Sequence, residues 1–104
     1  KKYFLKKSSA AASLMEVSFK PSFVRDFKKL PREAKEEVRR ICLVVFPSLD
    51  NLKQFSEYDL KTLKGFHGYY RVRVGEYRIG LKEKNGGVTF MRVKHRKDIY
   101  KVFP

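Results

Sequence analysis

His95, Arg96 and Tyr100 close a stretch of chain in which Arg71, Arg73, Arg78, Arg92 and Lys94 come before them. In RNA cleavage through the 2′-hydroxyl, a base removes the hydroxyl proton, an acid protonates the leaving 5′-oxygen and cations stabilise the charged phosphorane. Histidine and tyrosine can exchange protons, and guanidinium groups can hold a phosphate by paired hydrogen bonds. Spacing alone leaves two readings open, catalysis or a histidine exposed among cations. His67, between Phe66 and Gly68, lacks comparable partners and reads as a loop residue. One cysteine, two separated histidines and scattered carboxylates give no metal-ligand spacing, and no phosphate-loop pattern is present. No metal or cofactor is therefore expected, and no Ser/His/Asp triad can be argued.

These side chains act together only if strands bring them to one face. Three strands are predicted in quick succession, roughly Tyr69 to Val74, Tyr77 to Lys84 and Val88 to Lys94. Gly75-Glu76 has the composition of a two-residue type II′ turn, which fixes the register of the first pair. Val74 then meets Tyr77 and Val72 meets Ile79 on one face, leaving Arg73 opposite Arg78 on the other with Arg71 one step along. Like charges placed opposite each other destabilise a sheet, so the arrangement gains only when an anion sits over it. Asn85-Gly86-Gly87 is expected to be a three-residue loop with a glycine bulge, because a two-residue loop would send Arg92 into the core. Met91 then faces Leu81, and Val93 faces Ile79. Arg92 and Lys94 join Arg71, Arg73 and Arg78 as a phosphate-binding surface, with Phe90 at its edge as a base-stacking platform. The alternative is a solvated sheet face carrying long cations.

The rest of the chain supplies the support. Met15 to Lys20 alternates as a half-buried strand, and Ser22 is placed to cap a short helix through Leu30. Pro31 stops that helix and opens a second, in which Ala34, Val38, Ile41 and Val45 line one face before Pro47 ends it. Ser48 to Phe66 reads as irregular. The opening KKYFLKKSSAAASL differs in composition and reads as a leader or tag over 1–14, with Met15 a natural start and a single domain over 15–104. A native basic arm is the alternative for that segment.

The 104 residues suit one domain, and 42% hydrophobic residues suffice for a core despite 35% charged ones. Twenty-five Lys and Arg against 11 Asp and Glu give +14, of which Lys1, Lys2, Lys6 and Lys7 account for four, so +10 stays with the domain. Such an excess points to nucleic acid or an acidic protein partner. Cys42, in the apolar run Ile41 to Phe46, reads as a core thiol in a reducing compartment. No apolar stretch reaches the roughly 20 residues that span a bilayer, so a cytoplasmic protein without a membrane partner is expected.

The run Leu63 to Phe103 closely resembles the C-terminal half of RelE-like toxins of the RelE/ParE superfamily. It carries their Leu-Lys-Gly lead-in (Leu63-Lys64-Gly65), Tyr-Arg-x-Arg strand (Tyr70 to Arg73), Gly-x-Tyr-Arg hairpin (Gly75 to Arg78) and closing His-Arg-x-x-x-Tyr (His95 to Tyr100). The resemblance implies an α+β fold of the microbial-ribonuclease type: an N-terminal strand, a helical hairpin and a three-stranded antiparallel meander in one twisted sheet. It also implies a type II toxin that enters the ribosomal A site, cleaves mRNA there and is neutralised by a cognate antitoxin, acidic where it crosses the Arg face. By the same resemblance Arg71, Arg73 and Arg78 hold the scissile phosphate, Arg96 assists, His95 transfers a proton and Tyr100 stacks on or orients the substrate. Some RelE proteins have Lys where this chain has Arg71, Arg73 and His95. ParE-like toxins, which inhibit DNA gyrase, share the hairpin, and a non-catalytic nucleic-acid-binding module would use the Arg face without His95 or Tyr100.

Overall fold

The computed structural model describes the backbone of residues 3–5 and the whole of residues 14–104. The expected leader 1–14 therefore lies outside the described residues except at Tyr3–Leu5 and Leu14. Tyr3–Leu5 is a strand, β1, antiparallel to β2 (Glu16–Phe19). Two helices follow, α1 (Pro21–Lys28) and α2 (Arg32–Arg40), then strands β3 (Asp59–Leu63), β4 (Phe66–Val74), β5 (Tyr77–Lys84) and β6 (Gly87–His95). The sheet order is β1-β2-β6-β5-β4-β3, with β2 and β6 parallel and every other pair antiparallel. The α+β architecture and twisted sheet are as the sequence implies, with β1 and β3 added at the two edges.

Each helix differs from expectation in detail. Lys20 precedes α1 without a side-chain cap, and Pro21 opens the first turn, where its missing N–H costs nothing. Ser22 does not cap; its hydroxyl donates to the Met91 carbonyl at 2.8 Å. Rather than running to Pro47, α2 gives way to a π-helical turn at Ile41–Val45 and a 3₁₀ turn at Phe46–Ser48. The apolar stripe survives this change, since Val38, Ile41 and Val45 stay buried. Burial also pushes the Cys42 thiol well up, which makes it an inert core residue.

The core lies between the helices and one face of the sheet. Val72, Ile79, Leu81, Phe90 and Val93 line that face. Phe90 is at its centre, fully buried, with ring centroids 5.5 Å from Phe19, 5.7 Å from Phe23 and 5.1 Å from Phe46. The expected stacking platform is thus a core residue. The cause is the turn before it: Asn85 and Gly86, at φ 53° and 78°, form a two-residue loop of the type I′ kind, with Lys84 opposite Gly87. The extra residue falls in mid-strand instead, between Leu81 opposite Phe90 and Gly80 opposite Arg92, so Met91 is the bulged residue. Beyond the bulge Val93 meets Ile79, as the hydrophobic pattern requires.

The other face carries a smaller apolar seat. Gly80 alternates with buried Ile79 and Leu81 and so turns away from the helices. The Phe103 ring rests on it, only 2.6 Å from where a Cβ would stand, and Phe103 and Ile99 are both buried. The C-terminal turn is thereby fixed across the face. Gly80→Ala should dislodge Phe103, destabilise the protein by about 1–3 kcal/mol in denaturant titration, and speed amide exchange selectively over residues 99–103.

Candidate nucleic-acid interface

The β4–β5 register agrees with the turn-based expectation: Val74 meets Tyr77, Arg73 meets Arg78 and Val72 meets Ile79. Arg71 lies opposite Gly80, so Arg71, Arg73 and Arg78 share the face away from the helices. Arg78 feels the crowding. Burial first, then the like charges of Arg73 and Arg71, hold its guanidinium below its ordinary range; Tyr100 opposes that shift and Arg96 adds to it. Arg71, Arg73, Arg96 and Tyr100 are therefore all within electrostatic reach of Arg78. Arg78 Nη1 donates to the carbonyls of Gly75 (2.8 Å) and Tyr77 (3.0 Å), which anchors the group across its own turn.

Arg71 is well enclosed, with 14% of its side chain exposed. Its Nη1 is buried and makes no hydrogen bond among the described residues, although Asp59 Oδ2 stands 3.5 Å away. A buried charged donor left unmade is costly, by about 1–3 kcal/mol or more. An anion bound over Arg71 and Arg78 would relieve the repulsion between the guanidiniums.

Arg92 and Lys94 are on this face by register, opposite Gly80 and Arg78, but their charges are committed elsewhere. Arg92 Nε and Nη2 donate to Asp26 of α1 at 2.7 and 3.1 Å, and Lys94 Nζ lies 3.6 Å from the same carboxylate. Asp26 is 6% exposed and also accepts the Val93 N–H at 3.2 Å. Arg92, expected to bind phosphate, thus has a second task, since its guanidinium pairs with a buried acid.

His95 lies opposite Tyr77, and their rings meet edge to face at 5.6 Å. Tyr77 packs on the core, so His95 leaves the sheet's end on that side, beside the Glu76 carboxylate that also holds Arg96. Its Nδ1 accepts the Lys97 N–H (3.1 Å), which leaves Nε2 to carry the proton in the neutral ring, 3.8 Å from Glu76 Oε1. Glu76 also takes Arg96 Nε at 2.8 Å, while the Arg96 N–H donates to the Glu76 carbonyl at 2.7 Å. That hydrogen bond with Arg96 is the main reason the Glu76 carboxyl is held below its usual range. The contact persists at neutral pH and is lost only on acidification below ordinary carboxylate values. Tyr100 is 58% exposed and within electrostatic reach of Arg78.

Comparison with known proteins agrees with this geometry. Residues 17–100 match the family model described as the ParE toxin of the type II toxin-antitoxin system. The chain is 42% identical over 95 residues to Toxin RelE3 of Methanocaldococcus jannaschii, covering 86% of this chain and all of that protein. The chain belongs to the RelE/ParE toxin family. Among solved structures, the RelB-RelE antitoxin-toxin complex from Methanococcus jannaschii matches with TM-score 0.68 at 39% identity, over 83% of this chain and 98% of that one. The toxin-antitoxin complex RelBE2 from Mycobacterium tuberculosis matches with TM-score 0.61 at 25% identity, over 77% and 95%.

Within this toxin fold, sequence reasoning missed the acids that organise the cations. Asp59 stands opposite Arg73 on β3, Glu76 fixes Arg96, and Asp26 holds Arg92 and Lys94. Only Glu76, inside the turn that set the register, could have been found by spacing. No group of residues able to hold a metal ion occurs among the described residues, and none of their helices is long and apolar enough to cross a membrane. Asp26→Ala should leave Arg92 and the Val93 N–H without their partner, with a loss of about 3 kcal/mol in chemical denaturation. Asp26→Asn, which can still accept one bond, should recover part of it.

Proposed function

We propose that this chain is an endoribonuclease toxin that cleaves mRNA by 2′-hydroxyl attack, and that Arg71, Arg73 and Arg78 receive the scissile phosphate. The observation that carries the reading is the crowding of Arg78 by Arg73, Arg71 and Arg96, with Arg73 directly opposite it on the face away from the helices. Like charges forced together gain their return when negative charge increases at that spot, as it does when a phosphodiester becomes a phosphorane. The relatives named RelE support the same assignment.

Roles follow from position. Arg71 and Arg78 hold the non-bridging oxygens, and Arg73 and Arg96 add positive potential. Tyr100, exposed and within electrostatic reach of Arg78, passes a proton to or from the reacting oxygens or orients the nucleotide. His95, turned to the other side with Tyr77, acts through Glu76 and Arg96 as a positioning residue. Lys94 and Arg92 stand at the rim, tied to Asp26. The ParE-type reading, inhibition of DNA gyrase, is favoured by the family model itself and would need the Arg face but no proton transfer.

Primer extension on a translated message, with and without ribosomes, tests both. Arg78→Gln and Tyr100→Phe should each lower cleavage by about 10²- to 10⁴-fold, with His95→Ala costing less than about tenfold. Cuts without ribosomes would show that the A site is dispensable. Growth arrest without cuts, with gyrase inhibited in a supercoiling assay, would replace this reading with the ParE one.

The partner is a cognate antitoxin, as in the RelB-RelE and RelBE2 complexes; from the charge of the face we infer that it is acidic where it covers Arg71, Arg73 and Arg78. Its dissociation constant should rise steeply between about 0.05 and 0.5 M salt in calorimetric titration. Indifference to salt would mean that apolar docking dominates.

A further inference from the structure

A row of aromatic rings continues the Arg face along β4, and it rests on the ribonuclease reading above. Tyr69 is two residues from Arg71 and so on the same face, with Lys82 opposite. Lys82 Nζ lies 4.9 Å from the Tyr69 ring centroid, and the Phe103 ring stands edge-on to it at 5.8 Å. Phe66 extends the row, edge-on to Tyr69 at 6.3 Å, yet it is 51% exposed.

Phe66 reaches that position against the ordinary alternation of a strand, in which residues three apart point to opposite faces. Gly68, at φ +84°, breaks the alternation, and β3 shifts register between Thr62 and Leu63 beside it. A Cβ at Gly68 would be 3.2 Å from the Glu83 carbonyl, so the backbone is close-packed there as well as left-handed. Local geometry is thus used to bring an apolar ring to the charged face, where water alone covers half of it. Lys64, next to Leu63 which pairs with Phe66, is exposed, as is Lys61 opposite Arg71.

We propose that Phe66 is a base-stacking platform for single-stranded RNA, holding a nucleotide adjacent to the phosphate site formed by Arg71 and Arg78. A ring buttressed by Tyr69 and interleaved with lysines offers a π-face to the base and cations to its phosphate, the combination that binds single strands with little sequence preference. An acidic protein segment would use the lysines but gain little from a free aromatic face.

The test is fluorescence titration with a 2′-O-methylated single-stranded oligonucleotide, which cannot be cleaved, carrying one 2-aminopurine. Phe66→Leu should weaken binding about 5- to 100-fold and relieve the quenching of 2-aminopurine, with the salt slope unchanged. Phe66→Trp should retain both. Arg71→Gln should instead lower the salt slope by about 0.7. Full affinity and quenching in Phe66→Leu would overturn the platform and leave the Arg site standing, as would weakened antitoxin binding with RNA binding intact. Failure of the unaltered protein to bind the oligonucleotide would overturn the ribonuclease reading and the platform with it.

Discussion

The buried carboxylate of Asp26 decides how the sheet is completed. β2 pairs with β6 only as far as Phe90, and beyond it the outer edge of β6 would present unpaired backbone groups. α1 begins at that point and supplies side chains in place of a strand: Ser22 donates to the Met91 carbonyl and Asp26 accepts the Val93 N–H. Unpaired strand edges are templates for aggregation, and this one is closed by a helix. A carboxylate placed there cannot stand alone in a buried position, and Arg92 and Lys94 neutralise it. The basic face is narrowed as a result to Arg71, Arg73 and Arg78, with Arg96 and Tyr100 beside them.

How much of this was legible depends on where an ambiguity fell. Gly75-Glu76 admits one register, and hydrophobic alternation on both strands agrees with it, so Arg73 opposite Arg78 could be read directly. In β6 the apolar positions change parity between Val88 and Val93, which requires one extra residue but does not locate it. Phe90 and Met91 are both apolar, so a bulge at the turn and a bulge in mid-strand satisfy the same pattern. Asn85-Gly86, well suited to two consecutive left-handed residues, favours the mid-strand solution. The final register at Val93 is identical either way, which is why Arg92 was placed on the right face while Phe90 was placed on the wrong one.

Other features were hidden for reasons of their own. β3 is an edge strand whose sequence, Asp59 to Leu63, buries little, so it leaves no strong alternation. The charge state of the Arg face depends on Asp26, Asp59 and Glu76, which approach from a helix, an edge strand and a turn. The position of His95 was available, since it is two residues beyond Val93 and must share its side of the sheet. Strand parity puts it beside Tyr77, and Glu76 links it there to Arg96.

The opposition of Arg73 and Arg78 has a consequence for the protein when nothing is bound. Repulsion held in place by a two-residue turn is a standing cost in the native state, and it is largest in the empty molecule. Any polyanion that settles on the face removes part of that cost, so conformational stability becomes a function of occupancy rather than a fixed property of the chain. Free toxin is in this sense the weakest form of the fold, and whatever covers the arginines, messenger or antitoxin, also acts as its stabiliser.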